Sequence, residues 1–327
     1  MIQKAGPKAA IVTTRPGTAL GIYTTNKKPL WDEDSAAGQE RLVATAPRII
    51  HRFAPWELTA PHGGTWGAWD DAWASSAIAL GCVPMITWEG RDMALKATAP
   101  QSTYSNAAVT SGTWDTALQK WLYQANTWLQ ASAANRLLLR LDHEGNGQWY
   151  PWAAGCNGNS VESAIAAFRH KARLVRSIAP KIEIIWCPGT SGSGWIDFEQ
   201  CYPGYGVEHF VNYTGLDFYN TSTLAEGWSK GWVPFSAIAP YYYRVQSLDP
   251  RKRIIVCETG CVDDPTHGDK AGWIRAIPDA LANLPAIAGV VWFDNNDGKL
   301  DFRVSANEAN LAAWKAIAAD PRMRQTV

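Results

Sequence analysis

Short apolar runs and longer segments with a helical repeat alternate along the whole chain. The apolar runs are typical of strands, and eight are predicted, at 20–24, 48–53, 83–88, 137–142, 182–187, 214–219, 253–257 and 289–293. The segments between them predict helices near 36–46, 67–81, 113–132, 160–179, 194–201, 233–247, 269–284 and 306–318. Eight strand–helix units are the number in a (β/α)8 TIM barrel. We therefore predict this α/β fold as a single domain over residues 1–327.

A doubly wound open sheet is the main structural alternative, because the same alternation of strands and helices fits it. Neither a GxGxxG nor a GxxxxGK[ST] turn follows the first predicted strand, so the usual support for a nucleotide-binding version is missing. No linker separates the strand–helix units. These observations favour the closed barrel and one domain.

The charge balance bears on the class of partner. Thirty basic and thirty acidic side chains cancel, and hydrophobic residues make up 46% of the chain. A chain without a basic excess lacks the electrostatic footprint of nucleic-acid binding, and no apolar run reaches the roughly 18 residues of a membrane span. We expect a monomer whose partner is neutral, with neither nucleic acid nor a membrane involved.

The six cysteines and the first residues bear on the compartment. No CxxC pair indicates zinc or redox chemistry, and a domain of this size needs no disulfide framework. Cys187 with Cys201, or Cys257 with Cys261, could bridge, and buried free thiols are the alternative. The first residues lack the long apolar stretch of a signal peptide, which leaves the compartment open.

Tryptophan is unusually frequent, with 18 residues. Trp114, Trp121 and Trp128 recur at helical spacing, and we expect them to pack in the core. Most of the others lie near Gly, Pro, Asn and Asp, in loop-like surroundings. A flat apolar ring suits the C–H face of a sugar, while its N–H reaches a hydroxyl, and the loop tryptophans therefore favour a carbohydrate site.

In a barrel of this kind the working residues lie at the C-terminal ends of the strands. Glu144 follows the fourth predicted strand and Glu258 ends the seventh, so both carboxyl groups are expected in one pocket. Glycoside hydrolysis requires one carboxyl group that donates a proton and one ionised carboxylate. Whether the pair retains or inverts configuration depends on its separation, which the sequence leaves open. An ordinary ion pair between Glu144 and Arg140 is the alternative.

The segment that carries Glu144 resembles a known signature. Residues 140–152 read RLDHEGNGQWYPW, which resembles the strand-4 motif R-x-x-H-E-M-N-G-x-W-[FY]-x-W of glycoside hydrolase family 26, typified by β-mannanases. The segments GIYTTN, IIWCPG, GLDFYN and VVWFDNNDGKLDFRV resemble its first, fifth, sixth and eighth strands in the right order. Two departures, Gly145 at the methionine position and Phe218 at a commonly small position, are expected to flank the pocket.

The resemblance implies roles for several residues. Glu144 would be the acid/base and Glu258 the nucleophile. His143 would line the subsite of the sugar that is cleaved, Tyr219 would hydrogen-bond the nucleophile, and Trp292 would be the stacking platform beneath that sugar. Metal ions and organic cofactors are not expected.

Position at or after a strand end adds further candidates. Substrate-binding roles are expected for Asn146, Trp149, Trp88, Trp186 and Trp195, and Glu89 is a third acidic candidate. Because successive side chains of a strand alternate, Cys257 is expected to point away from the pocket, toward the helices.

The function implied by the resemblance is retaining, endo-acting hydrolysis of β-glycosidic bonds in a neutral polysaccharide, with β-1,4-mannan as the first substrate. This activity would place the protein outside the cell. Two alternatives remain: the same machinery on another β-glycan, such as a β-1,3/1,4-glucan, a β-1,3-xylan or a cell-wall glycan, and a barrel that binds carbohydrate without cleaving it.

Overall fold

The computed structural model of the protein describes residues 17–23, 47–56, 67–190, 194–204, 210–224, 231–296 and 298–327. Eight parallel strands form a closed barrel in chain order, with β8 paired to β1. The strands are β1 Ala19–Tyr23, β2 Ile49–Pro55, β3 Val83–Glu89, β4 Leu138–Leu141, β5 Glu183–Trp186, β6 Tyr213–Asn220, β7 Arg253–Cys261 and β8 Ile287–Phe293. The predicted (β/α)8 barrel is confirmed, and the open sheet is wrong.

The helices of the described residues follow the strands. They are α1 Asp71–Ala79, α2 Asn106–Thr110, α3 Asp115–Ala131, α4 Val161–Ile178, α5 Ala239–Leu248, α6 Lys270–Arg275, α7 Ile277–Leu281 and α8 Glu308–Ala319. The prediction near 194–201 is a short 3-10 helix, Phe198–Cys201, and the prediction at 269–284 is divided into α6 and α7. The helix predicted at 36–46 lies outside the described residues.

Helix α4 begins with a reciprocal capping box. The Ser160 hydroxyl accepts a hydrogen bond from the Ser163 backbone N–H over 3.2 Å, and the Ser163 hydroxyl accepts one from the Ser160 N–H over 2.9 Å. Such a cap is worth about 1 kcal/mol. It fixes the start of the helix that packs behind β4, the strand that leads to Glu144.

Strand alternation divides the core into two layers. Side chains such as Met85 and Ile185 fill the barrel interior, while their neighbours Ile86 and Ile184 pack outward against the helices. Trp121 and Trp128 are buried in the outer layer, and Trp114 packs against it partly buried, as predicted.

The C-terminal residues of the chain lie against the N-terminal end of the barrel. Ala19 forms an isolated antiparallel bridge with Arg324, and Val327 packs against the interior core cluster. The Arg136 guanidinium donates to the Val327 carbonyl over 2.7 Å. The C-terminal ends of the strands, which carry the predicted site, are therefore the open end.

All six cysteines are free thiols, and Cys156 alone among them is partly exposed. The two disulfide alternatives are therefore wrong, and the free-thiol alternative is confirmed. Within the described ranges, every helix is too short or too polar to span a lipid bilayer.

Candidate active site

A buried arginine lies at the centre of the site. Arg140 is the last but one residue of β4 and has no exposed surface, and its Nη1 donates to both carboxylate oxygens of Asp217 over 2.9 Å. Its Nη2 donates to Glu258, and its Nε donates to the Thr87 hydroxyl over 2.6 Å. The guanidinium is thus directed to these three side chains. The alternative in which it forms an ion pair with Glu144 is wrong.

Glu258 enters the pocket because β7 contains an irregularity. Leu216 of β6 is in register with Val256, but the next residue, Asp217, is in register with Glu258, so Cys257 is the extra residue. An extra residue of this kind re-aims the side chains that follow it. Cys257 therefore lies in the barrel interior, and the prediction that it faces the helices was wrong because regular alternation does not hold here.

The predicted hydrogen bond between Tyr219 and Glu258 is present. The phenolic hydroxyl, from the end of β6, donates to Glu258 Oε2 over 2.7 Å. Burial, followed by the negative charge of Glu258, raises the pKa of Tyr219 well above its usual range. The phenol therefore stays protonated and remains a donor at any physiological pH.

The turn that carries Glu144 has an unusual backbone. Asp142 and Glu144 have φ angles of 48° and 51°, in the left-handed region that costs a residue with a side chain about 1–2 kcal/mol. Hydrogen bonds stabilise the turn: the Glu144 N–H donates to the Cys187 carbonyl over 2.9 Å, and the Gly147 N–H donates to the Glu144 carbonyl over 2.8 Å. Strain of this kind is common where a side chain must be presented in a fixed direction.

The surroundings of Glu144 favour the protonated form of its carboxyl group. Burial raises its pKa well above the usual range, and the negative charges of Asp217 and Glu258 raise it further. Arg140 and a hydrogen bond from Trp149 act in the opposite direction. Glu144 is therefore suited to donate a proton, while Glu258 accepts hydrogen bonds from Arg140 and Tyr219.

A third carboxyl group opens into the same pocket. Glu89 ends β3, is 3% exposed, and lies 3.3 Å from Arg91 Nε. Burial raises the pKa of Tyr150 well above its usual range, and the charges of Glu144, Glu89 and Glu258 raise it further. The end of a strand was the sequence signal for Glu89.

His143 lies among aromatic rings at the same end of the barrel, and its contact with the sugar stays a prediction. Its ring centroid is 5.5 Å from that of Phe53 and 4.6 Å from that of Tyr150. Burial, then the charge of Arg140, lowers the pKa of His143 well below its usual range, so the imidazole is neutral. Its Nδ1 is buried and has no hydrogen-bond partner among the described residues, and the residue as a whole is 1% exposed.

Three tryptophans that were predicted to bind substrate face the helices and not the pocket. Trp88, Trp186 and Trp292 belong to the outer core layer between strands and helices. Their rings lie against other outer-layer aromatic residues, at centroid distances of 4.8 Å for Trp88–Trp121, 5.0 Å for Trp186–Tyr202 and 5.8 Å for Trp292–Trp314. The predictions were wrong because a residue near the end of a strand faces the pocket only at every second position.

Phe293, the neighbour of Trp292, takes the position that was predicted for the tryptophan. Its ring is half-buried at the C-terminal end of β8 and stacks on Tyr23, with a centroid distance of 4.8 Å and an interplanar angle of 9°. Edge contacts to Phe53 and Tyr219 complete an aromatic wall. Phe293 lies two positions after Val291, an interior residue, and therefore on the same face of β8.

Asn146 has a structural task instead of the predicted binding role. Its Nδ2 donates to the carbonyls of Gly189 and Ile196 over 3.1 and 3.2 Å, and its Oδ1 accepts from the Gly189 N–H over 2.9 Å. The side chain is 3% exposed. Its amide thus ties the loop after β5 to the turn after β4, and the prediction of substrate contact was wrong.

Trp149 remains a candidate for substrate binding. Its ring is half-buried and lies 4.8 Å from the half-buried Trp195 ring, in an edge-on arrangement. Its hydrogen bond lowers the pKa of Glu144, which places the indole N–H beside the candidate acid. The two tryptophans therefore form one side of the mouth.

The two departures from the family motif lie away from the mouth. Gly145 borders a cavity of about 20 Å³ between the turn after β4 and helix α4, which is enough for one water molecule. Phe218 packs outward against Phe235 and Tyr241. The expectation that both residues flank the pocket was therefore wrong.

Beneath the carboxyl groups, Cys187, Asp217 and Cys257 lie close enough together to share a ligand. The Arg140 guanidinium already pairs with Asp217, and its Nη1 lies 3.8 Å from the Cys187 sulfur. A cation placed among these three groups would meet the positive charge of Arg140. Cys187, Asp217 and Cys257 are therefore better suited to hold the Arg140 guanidinium than to bind a metal ion.

Comparisons with known proteins agree with the barrel fold. No family model matches the chain. Endoglucanase H of Acetivibrio thermocellus is 26% identical over 319 residues, which cover 91% of this chain and 31% of that protein. The chain thus spans about a third of the length of this curated relative.

Two solved structures share the fold. A modular endo-β-1,4-mannanase from Cellulomonas fimi, described among glycoside hydrolase family 26 mannanases, superposes with a TM-score of 0.67 at 18% identity, over 94% of this chain and 71% of its own. The catalytic domain of a family 26 endo-β-1,4-mannanase from Bacillus sp. JAMB-750 gives 0.68 at 15% identity, over 95% and 88%.

These solved structures share the (β/α)8 barrel of this chain, the fold that the resemblance to glycoside hydrolase family 26 implies.

Proposed function

We propose that the protein is a retaining, endo-acting glycoside hydrolase in which Glu144 is the acid/base and Glu258 the nucleophile. The observation that carries this proposal is the difference between the two carboxyl environments. Glu258 accepts hydrogen bonds from Arg140 and Tyr219, whereas burial and neighbouring negative charge raise the pKa of Glu144. A pair with separated roles is what double displacement requires.

In the first step, a Glu258 oxygen attacks the anomeric carbon while Glu144 transfers its proton to the departing glycosidic oxygen. The bond to the leaving sugar breaks as the glycosyl ester to Glu258 forms. In the second step, the ionised Glu144 removes a proton from water, and the resulting hydroxyl group attacks the same carbon and releases Glu258. Two inversions give net retention of configuration.

β-1,4-Mannan is the first substrate of the proposal because both structural relatives above are endo-β-1,4-mannanases by name. A β-glucan is the second candidate, since the curated relative, named an endoglucanase, is the more similar in sequence at 26% identity. The half-buried rings of Phe293 and Trp149 are the groups proposed to contact the sugar. None of the proposed steps requires a metal ion or a cofactor.

The substrate is tested with a panel of pure galactomannan, glucomannan, lichenan, β-1,3-xylan and cellulose. We expect reducing sugar from at least one polymer, and its loss in Glu258→Ala and Glu144→Ala. Glu183→Gln is the matched control. Glu183 is the first residue of β5, at the end of the strand away from the site, where its carboxylate pairs with Arg136. Affinity for a polymer without turnover would overturn the proposal in favour of a carbohydrate-binding barrel.

The roles are tested by trapping. An activated 2-fluoro glycoside of the sugar that is cleaved should form a stable ester, and peptide mass spectrometry should locate it on Glu258. NMR of the first product should show the β anomer. An α anomer would show inversion and contradict the nucleophile assignment, as would an adduct on Glu89.

A further inference from the structure

A buried ion pair lies behind the turn that carries Glu144. Lys171 is on α4, outside the barrel, and is 1% exposed, yet its ammonium group reaches the strand end and donates to Asp142 Oδ1 over 2.6 Å. The Asp142 side chain is 11% exposed. The pair therefore joins a helix of the outer layer to the first residue after β4.

The surroundings hold the lysine in one place. Its Nζ lies 5.2 Å from the centroid of the Trp56 ring, within the range of a cation–π contact. A buried ammonium group requires a close anionic partner, because the cost of removing it from water is otherwise uncompensated. Moving Asp142 would therefore separate two charges in a site with little solvent.

Asp142 is two residues before Glu144, and both have a left-handed backbone, with φ angles of 48° and 51°. The later part of the turn is fixed by hydrogen bonds of the backbone, including the one from the Glu144 N–H to the Cys187 carbonyl over 2.9 Å. The first residue of the turn is held by its side chain, through Lys171. The ion pair thus offsets the cost of the first left-handed residue at the point where the chain turns toward the pocket.

We propose that Lys171 is a positioning residue for Glu144, acting through Asp142 to hold the proton donor in line with the glycosidic oxygen. This inference rests on the proposed function for its effect on the rate, but its effect on the turn is independent of it. A proton donor works only within hydrogen-bond reach of the atom that it protonates.

This role gives a signature that a merely structural residue lacks. A leaving group that departs easily, such as 2,4-dinitrophenol, needs no proton, whereas a sugar or an unactivated phenol does. Displacement of Glu144 should therefore lower kcat/KM for the poor leaving group and spare the good one. A general loss of folded protein would lower both equally.

The experiment compares two aryl glycosides of the same disaccharide, with phenol and 2,4-dinitrophenol as leaving groups. For Lys171→Met and Asp142→Asn we expect kcat/KM to fall about 100-fold with phenol and less than about threefold with dinitrophenol. Lys171→Arg should recover most of the loss. His170→Gln is the matched control, because this neighbour on α4 bonds Asp115 Oδ1 over 2.7 Å, on the side of α3, and should leave both rates unchanged.

Amide hydrogen exchange supplies a readout that does not depend on turnover. We expect faster exchange at residues 142–147 in Lys171→Met and Asp142→Asn, but not in His170→Gln. Unchanged exchange there, or equal losses of rate with both leaving groups, would overturn the positioning role. If Lys171→Met does not fold, the rates and the amide exchange of Asp142→Asn alone test the positioning role.

A Glu144→Ala variant that shows no dependence on the leaving group would instead contradict the proposed function. The exchange result would still decide whether Lys171 orders the turn. Failure of the inference and failure of the proposed function are therefore distinguished.

Discussion

Tyr219 donates its phenolic hydrogen bond to Oε2 of Glu258 over 2.7 Å, while Arg140 donates to Oε1 of the same carboxylate. Each oxygen of the candidate nucleophile therefore has its own donor, from a different strand. The two donors fix the rotation of the carboxylate about its last bond. A nucleophile that attacks one carbon atom benefits from such a fixed direction.

We expect Tyr219→Phe to lower kcat/KM by roughly 10- to 100-fold, because a hydrogen bond to a charged group contributes about 1.5–3 kcal/mol. Steady-state kinetics on the polymer identified by the panel provides the measurement. Tyr213→Phe is the matched control: this tyrosine begins the same strand, and its hydroxyl lies 3.4 Å from Glu183. Equal rates for Tyr219→Phe and the unmodified protein would show that the hydrogen bond has no part in the reaction.

The dependence on pH follows from the environment of Glu144. A catalytic acid is active when protonated, so the rate is lost as the pH rises through its pKa. Because burial and the charges of Asp217 and Glu258 raise that pKa, the alkaline limb of kcat/KM should lie well above the pH at which an ordinary glutamate ionises.

Trp149 offers a way to shift this limb. Its hydrogen bond lowers the pKa of Glu144, so Trp149→Phe should raise the pKa and move the alkaline limb to higher pH. The measurement is the pH profile of kcat/KM. Trp195→Phe alters the adjacent ring and should leave the limb in place. A limb that moves to lower pH in Trp149→Phe would contradict the assignment of Glu144 as the acid.

Substitution of two adjacent residues of β8, Trp292 and Phe293, should affect different properties of the protein. Trp292 has no exposed surface, and its indole N–H donates to the Phe302 carbonyl over 2.8 Å, so Trp292→Ala should cost about 3–5 kcal/mol of the free energy of unfolding. Phe293→Ala should cost less stability and raise KM roughly threefold to tenfold, as expected for a lost stacking contact. Urea unfolding and steady-state kinetics on both variants test this. If Trp292→Ala raised KM more than Phe293→Ala does and left the free energy of unfolding unchanged, Trp292 would be the stacking platform instead.

The strands, their order and the two glutamates could be predicted from the sequence because they depend on local patterns. A buried strand such as β5 is a short apolar run, and the end of a strand marks the pocket in any barrel. Trp292 was assigned to the pocket although Val290, two positions before it, belongs to the outer layer. The run Gly289–Phe293 is apolar on both faces of the strand, so the sequence alone does not show which of its residues face the pocket.

Other features could not be predicted because they depend on contacts between distant strands. The extra residue at Cys257 is visible only from the pairing of β7 with β6, where the register shifts after Leu216. Asn146 is bonded to Gly189 and Ile196, which no motif spacing indicates. A polar residue beside a candidate catalytic glutamate can therefore either bind substrate or hold a loop, and the fold decides which.

Gly215 of β6 allows the interior thiols to lie side by side beneath the carboxyl groups. A Cβ atom there would lie 2.8 Å from Cys187 Cβ and 2.9 Å from the sulfurs of Cys187 and Cys257. Gly215→Ala should therefore lower the free energy of unfolding by about 1–3 kcal/mol, as overpacking of a core does. Urea unfolding at equilibrium measures this loss.

Cys187→Ala in the same chain should relieve part of that loss, because it removes one of the two sulfurs. The double variant should be more stable than the sum of the single changes predicts, by about 0.5 kcal/mol or more. Additive losses would show that the crowding is not between these two positions. Since Asp217 is two residues after Gly215 and holds Arg140, kcat/KM of Gly215→Ala should fall as well, and should recover in the double variant.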